Sequence, residues 1–196
     1  MTQDREDPDR PLACAARNGD RAAFSEIVRR HKTSTYQFVR RYVGDADEAY
    51  DILQDTFVAA WQGMHRFDVR QELTPWLRTI ALNKCRDHAR RHAVRRRLLA
   101  LFHAQSAAEP LWSAQASYPE LGSPELARLR RLDQAIAELP RRYKEPLLLV
   151  LVSGLTHRQA AAQLGLTPKA VEMRIRRAKE SLRAALAPER QGIPDE

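Results

Sequence analysis

The apolar positions recur with helical spacing over two long tracts and lose that spacing between them. Asp20 can cap a helix that carries Ala23, Phe24, Ile27 and Val28 on one side. Tyr36, Phe38, Val39, Tyr42 and Val43 form a second apolar cluster, closed by a turn at Gly44-Asp45. A further helix is predicted from about Asp47 to Trp61, with Ala49, Ile52, Leu53, Phe57 and Ala60 as its apolar residues. Gly63 to Thr74 reads as a polar loop. Pro75 then suits the first turn of a helix, where its missing N–H is not needed. That helix turns Trp76, Leu77, Ile80, Ala81 and Cys85 inward and then becomes basic.

From Leu98 to Ser123 the periodicity fails, and Ala, Ser, Gln and Pro dominate the later part of the tract. It reads as a linker, with a short helical start at Leu98–Phe102. Helical spacing resumes through Leu129, Leu132, Ala135, Ile136 and Leu139, breaks at Pro140, and continues in the apolar run Tyr143–Val152. Thr156 and Gln159 then form a capping box, Gly165 supplies a sharp turn, and Thr167-Pro168 opens another helix. Val171, Ile175, Ala178 and Leu182 fall on one stripe of that helix, with Lys169, Arg174, Arg177 and Lys179 on its other sides. A packed helix followed by a well-capped basic one is the outline of a helix-turn-helix. With no alternation long enough for a sheet, the expected fold is all-α: two small helical domains, 12–97 and 124–187. Residues 1–11 and 188–196 are expected to be tails, and 98–123 the flexible linker.

Charge sharpens this picture. Among 196 residues, 33 Lys and Arg stand against 25 Asp and Glu, a formal charge of +8. Such a surplus favours polyanions. Much of it lies in Lys84, Arg86, Arg90, Arg91, Arg95, Arg96 and Arg97, whose mutual repulsion nucleic-acid phosphates would relieve; a plain solvated face or a membrane surface is the alternative. Asp45, Asp47, Glu48, Asp51 and Asp55 form an acidic group that reads either as a solvated face or as a docking face for a basic partner helix.

Catalytic patterns are not evident: the chain has no phosphate-cradling glycine loop and no short metal-binding histidine motif. No catalytic residue, cofactor or metal is expected. His88 and His92 share a helical spacing, but they lie among arginines that would oppose a cation. Cys14 and Cys85 suit reduced thiols. No apolar run approaches the ~20 residues that span a bilayer, and the N-terminus lacks a secretory pattern, so a cytoplasmic location is expected.

The segments FSEIVRRHKTSTYQFVRRYVGDADEAYDILQDTFVAAW, FDVRQELTPWLRTIALNKCRDHARR and LPRRYKEPLLLVLVSGLTHRQAAAQLGLTPKAVEMRIRRAKESLR resemble, in that order, the extracytoplasmic-function group of the bacterial sigma-70 family. The resemblance implies a sigma factor, not an enzyme, that directs promoter-specific initiation with sigma regions 2 and 4. It implies that Asp51, Gln54 and Asp55 meet the β′ coiled coil of core RNA polymerase, and that region 4 meets the β flap. Met64, His65, Arg66 and Phe67 belong to the loop that captures a flipped base of the −10 element, with Asn83 near the pocket. Arg78, Lys84, Arg86 and Arg90 are expected to follow the DNA strand. Lys169, Glu172, Met173, Arg174, Arg176 and Arg177 are expected to face the −35 element. Silencing by a membrane-associated anti-sigma factor, a stress-response role and a monomeric state outside such complexes are also implied.

Three residues depart from the family pattern. Tyr50 replaces an acidic residue, Glu172 stands where Lys or Arg is usual and can pair with Arg176, and Pro146 predicts a kink or late helix start. The rival readings are a free-standing helix-turn-helix regulator and a metal-dependent nuclease built on the acidic cluster.

Overall fold

A computed structural model describes residues 7–103 and 124–187, with side chains described for 7–95 and 127–187. The expected tails 1–6 and 188–196 and linker positions 104–123 lie outside the described residues, as do the side chains of Arg96 and Arg97. Every regular element among the described residues is helical: α1 (Arg10–Arg17), α2 (Arg21–Val43), α3 (Ala46–Gly63), α4 (Leu73–His103), α5 (Pro124–Glu138), α6 (Arg141–Leu147), α7 (His157–Leu164) and α8 (Pro168–Leu186). A 3-10 turn, Met64–Arg66, follows α3, and a π-helical turn, Leu148–Val152, follows α6.

Local sequence explains most helix ends. Asp20 Oδ1 accepts from the amides of Ala22 and Ala23 at 2.8 and 3.1 Å, satisfying two donors of the first turn of α2. The two apolar clusters expected around residues 23–43 belong to this one continuous helix. It ends at Gly44, whose φ of +87° is accessible to glycine at little cost. Asp45 caps α3 by accepting from the Glu48 amide at 2.9 Å. In the second half, Thr156 and Gln159 satisfy each other's backbone donors, Gly165 takes φ +65°, and Thr167 caps α8.

Pro146 is accommodated where the sequence places the disturbance. It lies inside α6, and the chain passes directly into the π-turn Leu148–Val152. A proline cannot donate to the carbonyl four residues earlier, and widening to i→i+5 bonds, as in Ser153 N–H to Leu148 O at 3.0 Å, absorbs the mismatch.

Residues 7–11 depart from the expected tail. Asp7 Oδ2 accepts from the Leu73 amide at 2.7 Å, and Asp9 pairs with His31 at 2.6 Å and Arg30 at 2.9 Å. These bonds fasten the start of the chain to α2 and α4. The helix α4 also runs through Leu98–Phe102 to His103, beyond the boundary expected at Arg97.

The larger departure concerns the two halves, which the linker reading leaves without a fixed relation. One core, around Ala13, Ile27, Phe57, Met64, Phe67, Leu73 and Leu77, lies wholly within the first half. The other crosses the boundary: Phe38, Val39, Tyr42, Ile52, Leu82 and Cys85 pack in one cluster with Ile136, Leu139, Leu147 to Leu149, Ala160, Val171 and Leu182. At its edges Arg41 pairs with Asp133 at 3.1 Å, and Gln163 donates to the Pro75 carbonyl at 2.8 Å. Gln159 donates to Glu72 at 2.7 Å. The halves are docked.

Gly44 lies at this junction, where an added Cβ would stand 2.9 Å from Ala137 Cβ. At Gly165 the backbone is equally left-handed, but nothing lies within 4 Å of such a Cβ. Both Gly→Ala changes should therefore lose about 1 kcal/mol of backbone stability, with an added packing penalty at position 44. Urea unfolding should rank G44A as the less stable variant, and the reverse order would contradict the close approach of α2 to α5.

Candidate nucleic-acid interface and docking face

The acidic face rests on the amphipathic pattern of α3. Ala49, Ile52, Thr56, Phe57 and Ala60 point into the molecule, which leaves Asp51, Gln54 and Asp55 exposed on the other side. Tyr50 is also exposed, and its ring lies 4.7 Å from that of Tyr36, so the departure from an acidic residue adds an aromatic pair beside the carboxylates. Between α3 and α4 runs a shallow groove lined by Asp55, Lys84, Asp87, Arg90 and Arg91, where the acidic face meets the basic run.

The basic side divides into residues that face outward and residues committed to the interior. His65 and Arg66 of the 3-10 turn are exposed, as are Asn83 and Arg90, while Lys84 is half-buried. Arg90 is held by Asp87, one turn earlier on α4.

Three of the residues that the resemblance places near the −10 DNA, Met64, Phe67 and Arg78, lie in the interior. Arg78 is only 1% exposed. It donates to Thr35 Oγ1 at 2.7 Å and Ser34 Oγ at 2.9 Å, and lies over the Phe38 ring at 5.7 Å. Burial lowers its pKa to about 10, which still leaves it charged at neutral pH. It ties α4 to α2. Met64 and Phe67 are also buried; Phe67 packs on Trp76 with ring centroids 4.9 Å apart and anchors the loop to the core. Neither offers a free surface to a base in this arrangement.

Arg86 is engaged elsewhere too. Its Nε and Nη2 donate to Glu145 Oε1 and Oε2 at 2.9 and 2.6 Å, a two-pronged bond from α4 to α6. The same carboxylate accepts from Arg141 at 2.5 Å and from the Tyr42 hydroxyl at 3.1 Å. Burial opposes its charged form, but the bonds from Arg86 and Arg141 outweigh that and hold its pKa below the ordinary glutamate value. Lys144 beside it donates to the carbonyls of Tyr42 (3.0 Å) and Ala137. Burial also raises the neighbouring Cys85 thiol, so that cysteine stays protonated. No sequence pattern singles out Glu145 as the hub, because Arg86 and Tyr42 lie far away in the chain.

The recognition-type helix is open. Val171, Ile175, Ala178 and Leu182 bury one stripe of α8, while Lys169, Glu172, Met173, Arg176 and Arg177 are exposed and Arg174 is half-buried. Glu172 pairs with Lys169 at 3.0 Å rather than with Arg176, and this bond lowers its pKa. Arg176 lies 3.8 Å from Glu180. Among the described residues no helix is long and apolar enough to cross a membrane.

Comparison with known proteins identifies this arrangement. The family model Sigma-70 region 2 matches residues 27–95, and Sigma-70, region 4 matches residues 129–182. The chain is 35% identical to the RNA polymerase sigma factor NccH of Alcaligenes xylosoxydans xylosoxydans over 178 residues, covering 91% of this chain and 94% of that one. It is 36% identical to the RNA polymerase sigma factor CnrH of Cupriavidus metallidurans over 185 residues, covering 92% and 95%. The solved structure of CnrH in complex with the cytosolic domain of CnrY superposes with a TM-score of 0.66 at 31% identity, covering 91% of this chain and 96% of that one. With region 2 carrying the acidic helix and region 4 the open helix-turn-helix, the chain belongs to the extracytoplasmic-function group of the sigma-70 family, the sigma factors that direct transcription initiation and are not themselves enzymes.

Proposed function

We propose that α3 docks on the β′ coiled coil of core RNA polymerase through Asp51, Gln54 and Asp55, while α8 reads a −35 element and the loop after α3 with the outer side of α4 holds a melted −10 element. The observation that carries this reading is the simultaneous exposure of two oppositely charged helical surfaces, α3 and α8, on one family scaffold. Opposite charges on separate faces let one chain hold a basic protein surface and DNA at once. In region 2 the DNA-facing set is His65, Arg66, Asn83, Lys84 and Arg90. Met64, Phe67 and Arg78 support that surface from beneath. On α8, Lys169, Met173, Arg174, Arg176 and Arg177 contact bases or phosphates. Glu172, held by Lys169, sets a local preference by accepting from cytosine or turning away from phosphate. Region 4 docks on the β flap.

This function requires the halves to separate. Elements centred at −35 and −10 are about 25 base pairs apart, about 85 Å at 3.4 Å per pair. Two small domains docked by Glu145, Arg86 and Tyr42 do not reach that far. The docked form is the resting form, and polymerase with promoter DNA draws the halves apart, freeing Arg86 for the DNA backbone. An anti-sigma factor favours the resting form by covering the polymerase-binding faces. The cytosolic domain seated on CnrH supports a partner of this kind.

Three outcomes follow. The double substitution Asp51→Arg with Asp55→Arg reverses charge at exposed positions, so helical content should be unchanged while association with core polymerase in pull-down falls at least tenfold; near-normal association removes the assignment of the α3 face. Arg177→Ala should weaken −35 protection in footprints of the holoenzyme by about tenfold, the scale of one lost charged DNA contact at 1–3 kcal/mol. Glu145→Gln removes the charge that Arg86 and Arg141 share. Small-angle scattering of the free chain should then show a larger radius of gyration, and an unaltered radius would mean that the apolar contacts alone keep the halves together.

A further inference from the structure

Three ligating side chains converge at the edge of region 2, on atoms that neither the polymerase face nor the DNA-facing set uses. His88 and His92 are one turn apart on α4, which puts both imidazoles on the same side of the helix. Their ring centroids are 4.1 Å apart. Glu48, in the first turn of α3, directs its carboxylate between them: Oε2 lies 3.7 Å from His88 Nε2, and Oε1 lies 3.4 Å from His92 Nε2. The ligand atoms of the three residues all lie within 4.8 Å of one another.

These separations are long for N–H···O bonds, which centre near 2.9–3.0 Å. They are close to the spacing of ligands around a shared ion. Bonds of about 2.0–2.2 Å in tetrahedral array leave neighbouring ligands about 3.3–3.6 Å apart. We propose that Glu48, His88 and His92 form a binding site for one divalent transition-metal ion of zinc-like preference. The donor set gives the class: two imidazole nitrogens and one carboxylate suit borderline ions of the later first row, whereas Mg²⁺ and Ca²⁺ favour all-oxygen surroundings. Histidines four apart on a helix are a recognised half-site for such ions.

The third ligand separates this cluster from an ordinary surface pair of histidines, because it comes from a different helix. Its side chain is 28% exposed, and those of His88 and His92 are 16% and 45% exposed, so the cluster is anchored on one side and open to a water ligand on the other. The arginines that argue against a cation in the sequence are partly offset in space: Arg91 and Asp51 act on His88 with opposite sign, and Glu48 adds a further negative charge. A bound ion would pin the start of α3 to the middle of α4, one turn from Asp51.

The test is titration of the full chain with ZnCl₂ by calorimetry in a non-chelating buffer, with MgCl₂ in parallel, alongside thermal melts. One Zn²⁺ per chain, a raised melting temperature and no response to Mg²⁺ are expected. Glu48→Gln should weaken Zn²⁺ at least tenfold, and His88→Ala with His92→Ala should abolish the stoichiometric site, while His65→Ala and Cys14→Ser leave it intact. Affinity unaffected by Glu48→Gln would reduce the site to a helical histidine pair and overturn the proposal, as would loss of binding in the Cys14 variant or equal binding of Mg²⁺. A readout independent of variant folding is anomalous diffraction from wild-type crystals grown with ZnCl₂: a peak between the three side chains supports the site, and a peak elsewhere or none overturns it.

Discussion

The arrangement of the whole molecule depends on one buried carboxylate. Glu145 is 5% exposed and belongs to region 4, yet two of its partners, Arg86 and Tyr42, belong to region 2. Taking a carboxylate out of water costs several kcal/mol unless its oxygens are filled by donors of opposite charge. Arg86 fills both oxygens, and Arg141 and Tyr42 complete the shell. Removing one partner of such a group typically costs about 3–5 kcal/mol, because the remaining charge is stranded. An apolar interface tolerates sliding, whereas this one has a single register.

That polar character suits the opening proposed above. Once the halves part, water can solvate Glu145, and Arg86 can turn to phosphate, another anion with geometry suited to a guanidinium. The apolar surface shared by the halves, around Val39, Leu82, Leu148 and Leu149, opposes separation. On the proposed function, the balance is between hydrophobic burial, which favours the compact form, and two larger partners, polymerase and promoter, which would offer replacement contacts.

What could be read in the sequence was whatever depended on near neighbours. Asp20, Thr156 with Gln159, and Thr167 act on amides two or three residues away, and Gly44 and Gly165 act on their own backbone. Their roles therefore follow from spacing alone. The buried stripe of α8 and the exposure of Asp51 and Asp55 follow from the helical period in the same way. Less legible are the residues whose partners lie in another element. Arg86 looks like one more cation in a basic run until α6 supplies Glu145, and nothing near His88 and His92 in the sequence points to Glu48 of α3. Arg78 did carry a local signal. It lies three residues before Ala81 and seven before Cys85, both assigned to the inward stripe, so the period that buries them also buries the arginine.

Charge counting therefore overstates the exposed basic surface of region 2. The Arg78 guanidinium is engaged in joining α4 to α2, and that of Arg86 is engaged by Glu145. Lys84, Arg90 and Arg91 remain at the outer groove beside Asp55 and Asp87, whose negative charges temper the local field. The salt dependence of promoter binding tracks phosphates actually neutralised, not basic residues in the sequence. On the proposed opening, release of Arg86 from Glu145 adds a cation to the DNA-facing set, which would couple promoter affinity to the separation of the two halves.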